Sequence, residues 1–245
     1  MVVLALDTTT SAGSCALLRD DRLVREQASD RSRPQASRLP GELAAMLERE
    51  GVALSGVDVL AVGIGPGSFT GLRVGIATMQ GLAMALNRPL FGISAFDALA
   101  SMAFGSSRTY REPEPSHAET NGRPDLPPIY VATWVDAWRG EVYAALYQNG
   151  REIEPPTVDL PEHLLQTVAG RTILFTGDGA AMYRATISAA LGNRAEFTEP
   201  VAPLLAGAMA TLAAQEFRTG QRPLPHAIRP LYVRRSDAEL ARDRS

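Results

Sequence analysis

The chain has 245 residues, of which 45% are hydrophobic, and a formal net charge of −3. This is enough apolar material to bury a core in one large domain or in two lobes, and the negative charge gives no overall attraction to nucleic acid, so RNA contact would need a local arginine patch. Lysine is absent from the sequence. Its absence excludes a Walker A phosphate loop, a Schiff-base enzyme and a lysine-dependent kinase.

The first half predicts a mixed α/β unit. A strand over residues 2–7 that ends in Asp7 is followed by strands at 14–18 and 23–27 and a helix at 37–50. A buried strand at 57–64 and a helix at 70–86 come next, joined by a glycine-rich turn. The single Cys15 cannot form an internal disulfide, and we expect a small buried thiol there.

The second half predicts the same order of elements. Strands at 130–136 and 141–147, a turn at Asn149 and Gly150 and a third short strand are followed by a helix at 161–168. The predicted strand at 172–176, glycine turn at 177–179 and helix at 180–191 complete the unit. Two such α/β lobes, with mixed sheets flanked by helices, are typical of the actin, Hsp70 and sugar-kinase (ASKHA) superfold.

This repetition gives a predicted domain organisation. The expected parts are an N-terminal lobe at 1–104, a flexible inter-lobe insertion at 105–128, a C-terminal lobe at 129–202, and a C-terminal helix and tail at 203–245. The insertion is rich in Pro, Ser, Glu and Arg, which predicts a mobile loop. No apolar run reaches the roughly eighteen residues of a membrane span, and no basic region precedes the first strand. We expect a cytoplasmic protein without a membrane partner.

The glycine-rich turn at 65–75 supports two interpretations. Its backbone N–H groups and the following helix N-terminus could hold an anion, or its glycines could serve only to pack the helix closely on the sheet. The residues of the turn by themselves favour the second interpretation, that the glycines serve to pack the helix on the sheet. Ser68 has no identifiable histidine base, so its simplest role is to cap the helix.

The helix at 70–86 carries apolar or small residues on nearly every face. Glycine in a helix costs about 1 kcal/mol relative to alanine, so its three glycines need a packing reason. Gly71 and Gly75 are four residues apart, as are Ala77, Gly81 and Ala85, which predicts close approach of another helix. Burial inside a single large core explains the pattern equally well.

In the superfold a nucleotide lies between the lobes, and acids at the first turn of each lobe hold its hydrated metal ion; Asp7 and Asp136 occupy those places by order. The alternative is that each Asp caps its own turn. The residues predicted to line a vestigial nucleotide cleft are Asp7, Thr8, Gly65, Gly67, Ser68, Asp136, Gly177, Asp178 and Gly179. No metal site is predicted, because the histidines at 117, 163 and 226 are not paired.

Four motifs together resemble the TsaB (YeaZ) family. They are Leu-Ala-Leu-Asp-Thr-Thr at 4–9, Gly-Ile-Gly-Pro-Gly-Ser-Phe-Thr-Gly-Leu-Arg at 63–73, Asp-Ala-Trp-Arg-Gly-Glu-Val-Tyr at 136–143 and Pro-Leu-Tyr-Val-Arg at 230–234. They cover almost the whole chain in order. The resemblance implies a noncatalytic subunit that pairs with TsaD in the machinery placing threonylcarbamoyl on N6 of the adenosine next to the tRNA anticodon (t6A). It also implies TsaE as a partner through the complex and indirect contact with tRNA.

The resemblance places the partner interface on the helices of the first lobe, as an apolar patch that would be exposed in the free subunit. The same patch would form a homodimer when TsaD is absent. The predicted interface residues are Leu39, Leu43, Met46, Leu47, Gly71, Val74, Gly75, Thr78, Gly81, Leu82 and Ala85. No cofactor is assigned to the chain alone, and ATP or ADP at a subunit interface is left open.

Two positions depart from the family pattern, because Pro34 stands where relatives often have a histidine and Trp138 stands where they usually have an arginine. Cleft functions of those positions are therefore not carried over. An ATP-dependent small-molecule phosphotransferase of the sugar-kinase type is the alternative function. A protease is not supported, because the sequence has neither a pair of metal-binding histidines nor a catalytic triad. Arg229, Arg234 and Arg235 are candidates for RNA contact, although they could equally be ordinary solvated arginines on the surface.

Overall fold

The computed structural model describes residues 1–30, 35–106 and 130–234. It contains two five-stranded mixed sheets, each with helices on both faces. The expected α/β fold of two similar lobes is confirmed by this architecture. Most of the expected insertion, residues 107–129, lies outside the described residues, and the domain boundaries stay predictions.

The first sheet has the strand order β3-β2-β1-β4-β5. Its strands are β1 (Val2–Asp7), β2 (Ser14–Arg19), β3 (Arg22–Ala28), β4 (Val59–Gly65) and β5 (Leu90–Ser94). Strands β1 to β3 are antiparallel, whereas β4 pairs in parallel with both β1 and β5. The outer face is covered by α1 (Gln35–Arg49) and α2 (Phe69–Leu86), whose apolar side chains share one core cluster with β1 and β4.

The second sheet repeats this topology in the order β8-β7-β6-β9-β10. Its strands are β6 (Tyr130–Asp136), β7 (Val142–Gln148), β8 (Arg151–Asp159), β9 (Ile173–Thr176) and β10 (Ala195–Phe197), and its outer helices are α4 (Pro161–Thr167), α5 (Asp178–Met182) and α6 (Arg184–Leu191). The single predicted helix at 180–191 is wrong. Two helices are present instead. The first begins at Asp178 and the second at Arg184, and Tyr183 between them has a backbone that is not helical.

The layer between the sheets consists of α3 (Ala95–Ser106) and α7 (Ala206–Arg218). Helix α7 follows the second lobe in the chain but packs on β1, β2 and β4, whereas α3 follows the first lobe and packs on β6. One hydrophobic cluster therefore runs from Ala5 and Val59 through Phe96 and Met209 to Val131. The two lobes share this middle core, which fixes the cleft between them.

Among the described helices, none combines the length and the apolarity that crossing a bilayer requires.

Candidate functional site

The first turn of the first lobe places Asp7 at the carboxyl end of β1. Its side chain is fully buried and accepts three hydrogen bonds, from Thr9 N (2.7 Å), Thr9 Oγ1 (2.6 Å) and Thr10 Oγ1 (3.0 Å). Burial raises the pKa of this carboxyl, and the three hydrogen bonds oppose the shift. Asp7 thus closes its own turn, as the alternative interpretation of the sequence proposes.

The first turn of the second lobe has the same geometry. Asp136 Oδ1 accepts a hydrogen bond from Trp138 N, two residues ahead, at 2.9 Å. Asp178 follows β9 and accepts from Asp136 N at 3.0 Å and from the backbone N–H of Ser11 in the first lobe. Burial raises the pKa of Asp178. Its carboxyl therefore joins the first turns of both lobes directly.

The glycines of the cleft make close backbone contacts. A Cβ added at Gly67 would lie 2.1 Å from Thr9 O, the same oxygen that accepts a hydrogen bond from Ser68 N at 3.1 Å. At the matching place in the second lobe, a Cβ on Gly177 would lie 2.1 Å from Trp134 O, and one on the neighbouring Gly179 would lie 3.0 Å from Val135 C. Both glycine turns are therefore packed against strand-end backbone.

Asp7 does not fit the role of an acid that holds a hydrated metal ion. Asp7 has no exposed surface through which it could bind a metal-bound water, and its oxygens already accept three donors from its own turn. In the described ranges, no group of three or more His, Cys, Asp or Glu side chains could hold a metal ion. Of the three histidines, His163 has its Nδ1 3.0 Å from Asp159 Oδ1 and His226 lies in a 3₁₀ turn. His117 lies outside the described ranges.

Helix α2 begins beside these turns and has two different faces. Ser68 Oγ accepts a hydrogen bond from Gly71 N at 3.2 Å, so the predicted N-cap is confirmed. The buried face carries Gly71, Leu72, Gly75, Ile76, Met79 and Ala83. The opposite face carries Arg73, Ala77, Gly81, Met84 and Ala85, all exposed.

Part of the predicted exposed patch is wrong. The four α1 residues Leu39, Leu43, Met46 and Leu47 are only 0–3% exposed, because they form the apolar face by which α1 packs on the sheet and on α2. Gly71 and Gly75 also face inward, and a Cβ at Gly75 would lie 2.2 Å from Thr8 Oγ1. These six residues serve the chain's own core.

The remaining predicted interface residues reach the surface. Gly81 and Ala85 are exposed, and Val74, Thr78 and Leu82 are half-buried. A Cβ added at Gly81 would meet nothing within 4 Å. Leu82 also lines a groove of about 210 Å³ between α1, α2 and the turn that follows α1. The other lining residues are Pro40, Leu43, Ala44, Leu47, Glu48, Val52 and Leu54.

The segment at 228–234 crosses from the first lobe to the second. Leu231 N donates to Ile64 O at 2.7 Å, and a Cβ at Gly65 would lie 2.8 Å from Leu231 O. Farther along, Arg234 donates to Ala137 O at 3.2 Å and forms an ion pair with Glu141. The sequence places this segment in a C-terminal tail and does not predict that it contacts both lobes. The one sequence feature that points to a role for the segment is the motif at 230–234.

Known proteins are similar to this chain over most of its length. The family model described as TsaD, tRNA N6-adenosine threonylcarbamoyltransferase, matches residues 27–242. The chain is 34% identical over 149 residues to the tRNA threonylcarbamoyladenosine biosynthesis protein TsaB of Escherichia coli, a match covering 61% of this chain and 56% of that protein. It is 30% identical over 243 residues to an uncharacterized protein of Mycobacterium leprae, covering 97% of this chain and 56% of the relative. The chain thus spans about half the length of these two curated relatives.

Solved structures show the same relationship. The YeaZ structure from Pseudomonas aeruginosa is 31% identical, with a TM-score of 0.68, and the match covers 94% of this chain and 99% of that one. The activator of 2-hydroxyisocaproyl-CoA dehydratase from Clostridium difficile matches with a TM-score of 0.51 at 10% identity, over 95% of this chain and 100% of that one. At that identity the likeness concerns the fold alone.

Proposed function

This chain belongs to the TsaB (YeaZ) family of tRNA threonylcarbamoyladenosine biosynthesis, and on that premise we propose that it is a noncatalytic subunit that binds TsaD. In this role it activates the t6A transferase complex without carrying out chemistry itself. TsaE joins through the complex, and contact with tRNA occurs in the assembly. The proposal includes a cytoplasmic location, where the tRNA substrate is modified.

The observation that carries this proposal is the outer face of α2. Its exposed residues are small at Ala77, Gly81 and Ala85, and apolar at Met84, which is 62% exposed. Small residues allow two helix backbones to approach closely, and the neighbouring groove adds the apolar side chain of Leu82. This face suits packing against a helix of a related subunit. Self-association through the same face is expected when TsaD is absent.

The hydrogen bonding of the two first-turn acids supports the noncatalytic part of the proposal. The two acids that would hold a nucleotide-bound metal are engaged by their own turns, at Asp7 and Asp136. Asp178 also hydrogen bonds to both lobes, which holds the turns together. ATP or ADP at a subunit interface stays a prediction. The alternative function, an ATP-dependent small-molecule phosphotransferase, has no observation in its favour among the described residues.

The test is a pairing experiment with Gly81→Arg. The substitution places a long charged side chain on the outer face of α2, at a position where an added Cβ meets nothing within 4 Å. We expect loss of co-purification with the cognate TsaD and loss of t6A formation in a reconstituted assay, with a melting temperature no lower than that of the unmodified chain because arginine is a better helix former than glycine.

The matched control is Met182→Arg, which changes an exposed apolar residue of the second lobe (59% exposed). It should pair and support modification normally. If Gly81→Arg pairs as tightly as the unmodified chain, the interface assignment is wrong. If TsaD modifies tRNA fully without this chain, the subunit role itself is wrong.

A further inference from the structure

We propose that the start of α2, the turn after β6 and the segment at 228–234 together carry a surface for single-stranded RNA, formed by exposed aromatic rings and by arginines. We call it the aromatic–arginine surface; it consists of Phe69, Arg73, Trp138, Tyr232 and Arg234. The inference rests on the proposed function, because the RNA would be the unpaired region of the tRNA substrate. It adds a direct contact between this subunit and RNA.

The first part of the surface is a cluster of three side chains in mutual contact, two of them at the start of α2 and the third at Tyr232. The Arg73 guanidinium lies 3.8 Å from the centre of the Phe69 ring, and the Phe69 and Tyr232 rings are 5.6 Å apart with an interplanar angle of 32°. Arg73 Nε also donates to Tyr232 Oη at 3.2 Å. Among the described residues Arg73 makes no ion pair, so its charge is not neutralised by a carboxylate. Phe69 and Tyr232 are nevertheless 43% and 47% exposed.

The second part is the turn after β6, which presents Trp138. Its ring is 43% exposed, although Trp134, the only other tryptophan, is buried. Trp138, Arg139 and Gly140 have consecutive φ values of 57°, 56° and 84°. The left-handed region is unfavourable for non-glycine residues, and such strain persists mainly where surrounding structure imposes it, often at functional sites.

The segment at 228–234 brings the two parts together. Arg234 contacts the turn through Ala137 O and Glu141, and Tyr232 is two residues earlier, which corresponds to about 7 Å of extended chain. The three contributing segments, 69–73, 136–141 and 228–234, contain four arginines and two carboxylates. Their local charge is therefore +2, in a chain whose net charge is −3.

Single-stranded RNA matches this combination better than a duplex does. Unpaired bases stack on aromatic rings and on guanidinium planes, while arginines attract the phosphates. A duplex hides its bases from such rings and would use only the charges. The surface also lies beside the α2 face proposed to bind TsaD, so an RNA strand held here would run along the assembly.

The experiment measures binding of a fluorescein-labelled unstructured RNA of about ten nucleotides to the full chain by fluorescence anisotropy, with quenching of tryptophan emission as a second readout. We expect binding with quenching of Trp138, and about tenfold weaker binding for Trp138→Gly and for Tyr232→Ala. Glycine suits the left-handed backbone at 138, so that variant removes the ring without adding strain. Tyr232→Phe keeps the aromatic ring beside Phe69 and removes only the hydroxyl, so it should bind RNA almost normally.

The control is Met182→Ala, which removes an apolar side chain that is more exposed than Trp138 or Tyr232 and lies far from the surface in sequence, and it should not alter binding. No binding by the unmodified chain, equal binding by Trp138→Gly and Tyr232→Ala, or equal affinity for duplex RNA would overturn the inference. The same variants are assayed for TsaD pairing, which Trp138→Gly should retain. Gly81→Arg should show the opposite pattern, losing pairing and keeping RNA, so failure of this inference and failure of the proposed function give different results.

Discussion

Gly75 offers the sharpest test of how α2 is seated on the first lobe. A Cβ at this position would lie 2.2 Å from Thr8 Oγ1, 3.0 Å from Thr8 Cγ2 and 3.1 Å from Thr8 Cβ. Thr8 is buried and its hydroxyl has no hydrogen-bond partner in the described structure. One of the two other χ1 rotamers of Thr8 would place the methyl group where the hydroxyl now lies, so the clash is relieved only if the buried side chain turns its Cβ hydrogen toward residue 75.

Gly75→Ala should therefore destabilise the protein although alanine is the better helix former. Overpacking of this severity costs about 3 kcal/mol, and the gain in helix propensity is about 1 kcal/mol. The net loss in the free energy of unfolding is about 2 kcal/mol, equivalent to a melting temperature about 6 °C lower for a chain of this size. Urea denaturation at equilibrium measures the loss.

Two further variants make this a controlled experiment. Gly81→Ala lies six residues along the same helix with nothing within 4 Å, so it should gain about 0.5–1 kcal/mol. In a Thr8→Ala background the clashing hydroxyl and methyl are gone, and Gly75→Ala should lose most of its cost, giving a coupling energy of about 2 kcal/mol. If Gly75→Ala stabilises the protein as Gly81→Ala does, or if the coupling is zero, the seating of α2 on Thr8 is wrong.

Two other predictions concern buried titratable groups. Burial raises the pKa of Asp7, so the folded protein holds this proton more tightly than the unfolded chain; the resulting stability is fully present below the ordinary value of 3.8 and is lost as the pH rises through the folded pKa. The stability of Asp7→Asn relative to the unmodified chain should therefore increase as the pH rises above the ordinary Asp value of 3.8 in urea denaturation experiments, and a difference that does not change with pH would contradict this. Burial also raises the pKa of Cys15 to about 11, so the native thiol should react with Ellman's reagent at about pH 8 only as the protein unfolds; reaction at the rate of a free thiol would show that Cys15 is accessible.

Local patterns in the sequence predicted the elements that depend on neighbouring residues. The two lobes were visible because strands ending in Asp7 and Asp136 are each followed by the same order of strands and helices. The cap at Ser68 and the Asp-closed turns were also accessible, since each involves atoms only two or three residues apart. The break at Tyr183 was not predicted, because the apolar spacing continues through it.

The prediction that the α1 residues are exposed was wrong for a different reason. In α1 the stripe of Leu39, Leu43, Met46 and Leu47 shows that one face is apolar, but an apolar stripe has the same pattern whether it packs on its own sheet or on another protein. The structure places it on the chain's own sheet. In α2, small residues on several faces define no unique buried side.

The sequence by itself determined the repeated strand and helix order and the family, because these depend on short-range periodicity and on recognisable motifs, whereas it left open whether Asp7 and Asp136 close their own turns. Only the tertiary structure decided which face of α2 is free, that α3 and α7 each pack on the sheet of the other lobe, and that the segment at 228–234 bridges the cleft. The physical reason is that these features depend on contacts between residues far apart in the chain, such as Leu231 with Ile64. Burial of apolar surface has no preferred direction along the sequence, so local patterns do not identify the partner in such contacts.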